Sequence, residues 1–357
     1  MSINEKANII IREGTPSDNE ALVNLTSQTP MQGKISIRID REPDFFRLLD
    51  MRGSSFVIVA ELQNTIIGCC SASSVDVFVD GKPEVVFYLA DFKIHPDYRK
   101  STVAMRIGKA MLQKFELLDA DLLFGTAAYG NDDVKPFFTG RAFLPKAEEV
   151  GIFNVFLIIP TSFKKKNIKY HLGEVPLISS TISFFNNFMK KYQLGPVYSE
   201  SSFDNNILIT ASFNNELVAA ITLFDTGPAK QNVLIQLPLF LKCIIKSIGA
   251  LNTIYTIVRL PKINEVVQIL YIKSFACKQG HEEALKLLLG RARNIAHEKK
   301  YTFLTIGIHE KDPLIKIFAN YLKITFKSVG YVTSLKNNKD KINYILKGIP
   351  FEDYSLV

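Results

Sequence analysis

The sequence predicts an α+β protein made of two tandem units, each a mixed, largely antiparallel twisted sheet flanked by helices. At 357 residues the chain is about twice the usual length of a single domain. Short alternating strands lead into one strand–helix–strand unit, which is typical of an α+β fold rather than a doubly wound one. The element order of residues 85–143 then returns in residues 266–331, which indicates a tandem of one fold.

The first unit is predicted to open with a strand at 9–12 and a helix capped by Thr15-Pro16-Ser17-Asp18. A strand at 35–39 and a short helix that starts near Arg41 follow. Hairpin turns at Gln63-Asn64 and Asp80-Gly81 separate three further strands. We place those strands at 56–61, 65–75 and 85–94. The unit closes with a helix at 102–118, a strand at 122–127, a helix at 132–139 and a strand at 150–159.

A basic stretch that begins at Lys164-Lys165-Lys166 interrupts the apolar periodicity. Such a stretch is typical of a solvated linker, and contact with an anionic membrane is the alternative. The expected units are therefore 1–162 and 177–357, with 163–176 as the linker. In the second unit we predict helices at 177–189, 282–296 and 312–321, and strands at 207–213, 216–224, 266–275, 303–308 and 326–334. Residues 233–252 are largely apolar and are predicted to form an amphipathic helix from Pro238 onward, buried between the units.

Charge and cysteine usage narrow the partners and the compartment. The net charge is +8, but Lys and Arg are spread thinly along the chain, whereas nucleic-acid binders concentrate them on one face. We therefore expect a phosphorylated small ligand and no nucleic acid. Four cysteines without CxxC spacing are predicted to be buried free thiols. No apolar run approaches the ~18 residues of a membrane span, and residues 1–8 do not resemble a signal peptide, so we expect a cytoplasmic protein without stable membrane insertion.

The segment with the strongest chemical signal is the turn between the strand at 85–94 and the following helix. The first N–H groups of a helix lack internal partners and lie at the positive end of its dipole, so they form an anion site. Arg99 and Lys100 stand immediately before this helix, and no carboxylate occurs between Tyr98 and Phe115. Small residues such as Ser101 let a phosphate approach the backbone. This turn is therefore predicted to bind a pyrophosphate.

The same segment resembles the GNAT N-acetyltransferase superfamily, whose signature is Arg or Gln, two residues, Gly, one residue, then Gly or Ala. Arg99, Thr102 and Ala104 match the three positions, and Ile94-His95-Pro96-Asp97-Tyr98 resembles the usual lead-in. The departure is Thr102 at a glycine position, which binding tolerates if its φ is negative. The resemblance implies a GNAT-like fold for both units, acetyl-CoA as cosubstrate and no metal.

The resemblance also implies which residues contact the cofactor. Strand residues 92–94 would bind the pantetheine arm as an added strand, the turn would hold the pyrophosphate, and an Asn would follow the next strand. The cofactor-binding residues implied in this way are Phe92, Lys93, Ile94, Arg99, Lys100, Ser101, Thr102, Val103, Ala104, Met105 and Asn131.

Acyl transfer to an amine requires a neutral amine, a polarised thioester carbonyl and an acid for the leaving thiolate. The tyrosine that supplies this acid in the family corresponds to Phe138, which cannot donate a proton. Tyr129 is therefore the candidate acid, and water is the alternative proton source. Asp91 is the candidate base or amine-binding group, with Lys93 as an expected partner, and a structural carboxylate is the alternative. Tyr88 and Glu84 are the other candidates for this role. Arg41 is predicted either to bind a substrate carboxylate or to be a solvated loop residue.

The second unit lacks the phosphate-binding features of the first. Glu282 and Glu283 open its corresponding helix, where they would satisfy the dipole and repel pyrophosphate. We expect one acetyl-CoA per chain and an acyltransferase that acts on a small-molecule or peptide amine. A non-catalytic acyl-CoA-binding module is the alternative, a peripheral membrane protein is a third hypothesis, and a homodimer stays open.

Overall fold

The fold is seen in a computed structural model that describes residues 9–30, 36–131, 135–140, 145–162, 169–174, 179–236 and 262–357. The predicted helix after Pro238 and nearly all of the basic stretch lie outside these residues. The first-half strands are β1 (Ile10–Glu13), β2 (Ser36–Asp40), β3 (Ser55–Leu62), β4 (Thr65–Val79), β5 (Lys82–Ile94), β6 (Leu122–Ala128) and β7 (Glu148–Ile158). The first-half helices are α1 (Asn19–Gln28), α2 (Arg47–Arg52), α3 (Val103–Leu117) and α4 (Lys135–Phe138).

The second half repeats the predicted order with additional elements. Its strands are β8 (His171–Glu174), β9 (Gly195–Pro196), β10 (Ile207–Phe213), β11 (Glu216–Asp225), β12 (Gln231–Gln236), β13 (Val266–Val267), β14 (Ile269–Cys277), β15 (Phe303–His309) and β16 (Lys323–Ser334). Its α-helices are α5 (Ser179–Met189), α6 (Glu282–Glu298) and α7 (Lys339–Lys347). The segment predicted as a helix at 312–321 is instead a 3-10 helix, Pro313–Phe318, whose Asp312 side chain accepts the Leu314 amide. The mixed, largely antiparallel sheets flanked by helices confirm the predicted α+β class.

One hydrogen-bonded sheet runs through both halves. Its order is β1-β3-β4-β5-β6-β16-β7-β15-β14-β11-β10-β8. Each half contributes one parallel pair, β5–β6 and β14–β15, and the α3 and α6 crossovers connect these pairs as predicted.

The two halves exchange a strand at the centre of this sheet. β16 lies between β6 and β7 and pairs antiparallel with both. Ser328 lies opposite Ala128 of β6, and Lys323 lies opposite Ile158 of β7. A second sheet, β13-β12-β2, pairs β2 of the first half with β12 of the second. The two predicted units therefore share their central sheet, while the predicted boundaries stay a prediction.

Helix α3 packs closely on the first-half sheet because Gly68 leaves room for it. A Cβ at Gly68 would lie 2.8 Å from Ile94 Cδ1, 3.0 Å from Ile107 Cδ1 and 3.1 Å from Val103 Cγ1. Val103, Ile107, Met111 and Phe115 repeat at a spacing of four and are all buried. This contact fixes the start of α3 relative to the end of β5.

Candidate functional site

A gap opens in the sheet where β5 and β6 separate. The two parallel strands pair only from Val86–Leu122 to Leu89–Gly125. Beyond that point β5 is held by β4 alone, as far as Ile94 opposite Gly68, and β6 is held by β16 alone. The facing edges of the strands are thus available to an extended ligand chain, which can pair with them as an additional strand would.

A β-bulge lies at the point where the gap begins. Cys69 is opposite Lys93 but Ser71 is opposite Ala90, so β5 contains one more residue than β4 over this stretch. Asp91 adopts a left-handed backbone, with φ +50°. Such a bulge redirects backbone N–H and C=O groups away from the ladder, and bulges of this kind recur next to active sites.

Asp91 is held by an ion pair beneath the bulge. Arg41 Nη2 donates to both carboxylate oxygens at 2.7 Å, and the Ser71 hydroxyl donates to Oδ2 at 2.9 Å. Burial favours the neutral acid, but the charges of Arg41, Arg52 and Lys93 outweigh it and lower the pKa of Asp91 well below its usual range. Asp91 is therefore an ionised carboxylate whose oxygens already accept hydrogen bonds from Arg41 and Ser71. This favours a structural role for Asp91 over the predicted role as a base.

The interpretation of Arg41 as a solvated loop residue is wrong. Its side chain is 2% exposed, and its guanidinium is the principal partner of Asp91. The predicted Lys93–Asp91 pair is present only as an electrostatic attraction, since Lys93 Nζ donates to the Thr29 carbonyl at 3.5 Å. The strand β2 that precedes Arg41 thus brings the cation to the bulge.

A cavity of ≈ 240 Å³ lies in the gap between the strands. The bulge residues form one wall, the end of β6 and Asn131 form another, and Arg52 and Tyr88 lie between them. Two aromatic pairs close it from α4: Phe92 with Phe137, ring centroids 4.3 Å apart, and Phe138 stacked on Tyr331 at 4.0 Å. The residues predicted at the site that line this cavity are Arg41, Tyr88, Asp91, Phe92, Lys93 and Asn131.

The turn after β5 presents cationic side chains and amides to solvent. Arg99, Lys100, Ser101, Thr102 and Met105 are exposed, and Ala104 is half-buried. Thr102 has φ −81°, which satisfies the condition for binding without a glycine. Within the described residues, the Thr102, Ala104 and Met105 amides have no backbone acceptor.

Two neighbours of this turn have structural contacts. The His95 side chain accepts the Asp97 amide, as expected of a capping residue. Val103 is fully buried, and its amide donates to Ser101 Oγ at 3.3 Å, so its side chain cannot meet a ligand. The predicted phosphate contacts would therefore come from the amides and cations around Val103 and not from its side chain.

Tyr129 lies away from the cavity. It is 61% exposed, with the Lys327 ammonium 5.9 Å from its ring centroid, and it is not among the residues that line the gap. Tyr88 does line it, and its hydroxyl shares a 3.1 Å hydrogen bond with Thr126 Oγ1. A role for Tyr129 as the acid stays a prediction that its position does not favour.

The segment 351–357, to which no sequence pattern assigned a role, lies against the cavity. Val357 lines it, Arg52 Nε donates to the Leu356 carbonyl, and Arg52 lies 4.9 Å from the Tyr88 ring centroid. Lys230 is 2% exposed and donates to the Tyr354 carbonyl at 3.2 Å and the Val357 carbonyl at 2.6 Å. The only sequence signal for this segment is the acidic pair Glu352-Asp353 directly after an apolar stretch.

In the second half, a glutamate side chain occupies the corresponding helix start. β14 and β15 also separate after Tyr271 and Thr305. Glu282 Oε1, however, accepts the Gly280 amide at 3.0 Å, and backbone hydrogen bonds lower the pKa of Glu282. This carboxylate stands at the helix start as the sequence predicts, where it would repel pyrophosphate.

Two further observations concern metals and membranes. No group of His, Cys, Asp and Glu in the described ranges could hold a metal ion, and Cys69, Cys70 and Cys277 are free and buried. Among the same residues, no helix combines the length and the apolar character needed to cross a bilayer.

Known proteins resemble this chain in structure. No protein-family model and no curated protein matches its sequence. The fold matches Saccharomyces cerevisiae N-myristoyltransferase with bound myristoyl-CoA at a TM-score of 0.62 and 11% identity, covering 93% of this chain and 85% of that one. It also matches a GCN5-related N-acetyltransferase from Anabaena variabilis at a TM-score of 0.53 and 11% identity, covering 90% of this chain and 72% of that one. The chain therefore has the fold of the GCN5-related N-acetyltransferases across both halves, as the sequence predicts.

Proposed function

We propose that the chain is an acyl-CoA-dependent N-acyltransferase in which an amine attacks the thioester directly. The proposal depends on one observation about the end of β5. There the strand has a bulged, unpaired edge, and the turn that follows leads to the cationic, carboxylate-free start of α3. An extended pantetheine arm along that edge places its pyrophosphate at the turn and its thioester at the bulge. Both structural neighbours are N-acyltransferases by name, and one holds myristoyl-CoA.

In this proposal the chain supplies position and electrostatics rather than a covalent nucleophile. Phe92, Lys93 and Ile94 would pair with the arm, and the turn from Arg99 to Met105 would hold the phosphates. Backbone amides redirected by the bulge would stabilise the developing oxyanion. Asp91 would act as a positioning residue, because its ion pair with Arg41 holds the bulge open.

Calorimetric titration with acetyl-CoA tests the binding half of the proposal. The substitution pair Arg99→Ala and Lys100→Ala should weaken binding about 5- to 30-fold, since two exposed charge contacts contribute about 1–2 kcal/mol together. The matched control is Lys299→Ala with Lys316→Ala, which removes the same charge from exposed positions in the second half. Equal affinities for the two double variants would contradict this account of the turn.

Release of the CoA thiol in the presence of amines distinguishes an enzyme from a binding module. The module hypothesis is supported by Phe138, which stacks on Tyr331 where the family has an acid. Binding without thiol release across amines, amino acids and peptides would favour it. If Tyr129 is the acid, Tyr129→Phe lowers turnover by about 10²-fold or more, and unchanged turnover excludes that role. The acyl group is proposed to be acetyl, and the rates with acetyl-, hexanoyl- and myristoyl-CoA test this choice.

A further inference from the structure

A second cavity of ≈ 70 Å³ adjoins the first. Arg52 and Tyr88 line both cavities, so the second begins on the far side of these two side chains from the bulge. Most of its wall is apolar and comes from both halves: Val75, Val77 and Val86 from the first, and Leu194, Pro196 and Phe351 from the second. A group that enters it would approach the thioester from the side opposite the pantetheine arm.

Two carboxylates also line this cavity, and they differ in their partners. Asp353 Oδ1 accepts the Ser355 amide at 2.9 Å and the Ser355 hydroxyl at 2.6 Å, so it closes a turn. Glu352 is half-buried and receives no hydrogen bond from the part of the chain that the structure describes. Among the described residues, both Glu352 carboxylate oxygens therefore remain free to accept a hydrogen bond, whereas Asp353 already uses Oδ1 to close its turn.

The charges around Glu352 come from several elements. Asp353 is its chain neighbour, Arg52 lies at the end of α2, Lys230 precedes β12, and Tyr88 and Tyr354 are neutral at physiological pH. Burial and the Asp353 charge raise the pKa of Glu352 to about 8, while Arg52 and Lys230 oppose this shift. A carboxyl group whose pKa is close to neutral pH gains or loses a proton with little change in free energy, as a general base requires.

We propose that the second cavity is the acceptor subsite, that it takes an amine with a small apolar substituent, and that Glu352 removes the proton from that amine. The inference rests on the acyltransferase function proposed above. The amine nitrogen forms a bond to the thioester carbonyl carbon, and the C–S bond breaks with its electron pair on sulfur. The surplus proton of the nitrogen passes to Glu352, and the CoA thiolate takes a proton from solvent.

The alternative role for Glu352 is purely structural, through electrostatic attraction to Arg52, and pH profiles separate the two roles. The probe is an amine of low pKa, which stays neutral throughout the titration, so any rise of kcat/KM with pH belongs to the enzyme. The wild-type kcat/KM should rise through a pKa near 8. Glu352→Gln should lower kcat/KM by about 10²–10⁴-fold and abolish this rise. Glu352→Asp should still show a rise of kcat/KM with pH, but with lower kcat/KM values than the wild type.

Two controls keep the outcomes distinct. Glu116→Gln removes an exposed carboxylate from α3 and should behave as the wild type. Acyl-CoA titration should give the same affinity for Glu352→Gln and wild type. If wild type binds no acyl-CoA or releases no thiol, the proposed function itself fails. If wild type transfers acyl groups and Glu352→Gln keeps the same kcat/KM and the same rise of kcat/KM with pH, the role of Glu352 is overturned. If amines with apolar and acidic substituents react equally well, the acceptor subsite is overturned.

Discussion

The buried ion pair between Arg41 and Asp91 predicts a large and coupled loss of stability. The side chains are 2% and 9% exposed, so solvent does not screen the pair, and the small energies of surface ion pairs do not apply. Removing one partner leaves the other as a buried charge without its principal counter-charge. Asp91→Asn and Arg41→Met should each lower the free energy of unfolding by about 3–5 kcal/mol.

The double variant supplies the decisive comparison. Removing both charges leaves neither without its counter-charge, so Asp91→Asn with Arg41→Met should cost clearly less than the sum of the single changes. Urea titrations of the four proteins at constant pH give the coupling energy. Single losses below about 1 kcal/mol, or losses that simply add, would refute the reasoning.

The same pair predicts a pH dependence of stability. Because the folded pKa of Asp91 is lowered, its contribution is complete above the unfolded value of about 3.9 and is lost as pH falls from there toward the folded pKa. Asp91→Asn should therefore flatten the acid side of the stability profile. A profile identical to that of the wild type in this range would contradict the assignment.

Three further predictions address packing, the turn and a buried histidine. Gly68→Val should cost about 1–3 kcal/mol and weaken acyl-CoA binding, because its Cβ would lie 2.8 Å from Ile94 and displace α3; an unchanged urea midpoint and affinity would oppose this. Thr102→Gly should change acetyl-CoA affinity less than about 3-fold, since φ is −81°, and a large gain by calorimetry would show that the Cβ obstructs the phosphates. Burial lowers the pKa of His309, so stability should fall as pH drops below about 6.5, the unfolded value; His309→Gln should lessen that fall in urea titrations, and an equal fall would assign it to other groups.

Local patterns were sufficient to predict most elements, and they singled out the turn at which we propose that a phosphate binds. The four-residue spacing from Val103 to Phe115 predicted α3 within a residue at each end. Arg99 and Lys100, followed by no carboxylate as far as Phe115, predicted a cationic helix start, and both side chains are exposed. Glu282 at the second helix predicted that the second half lacks this site, and its carboxylate caps the Gly280 amide. These features depend on contacts within a few residues along the chain, which a pattern records directly.

The chemical environment of the site depended on contacts that no local pattern contains. Arg41 is fifty positions from Asp91 in sequence, and only the return of β2 toward the bulge joins them. The sequence by itself therefore determined the fold class and the repeated order, and it predicted the turn at which we propose that a phosphate binds. The tertiary structure alone decided that β16 completes the first-half sheet and that the segment around Glu352 lies beside the gap. The physical reason is that strand exchange and buried ion pairs depend on long-range packing. The sequence of one segment does not show which distant segment it will contact.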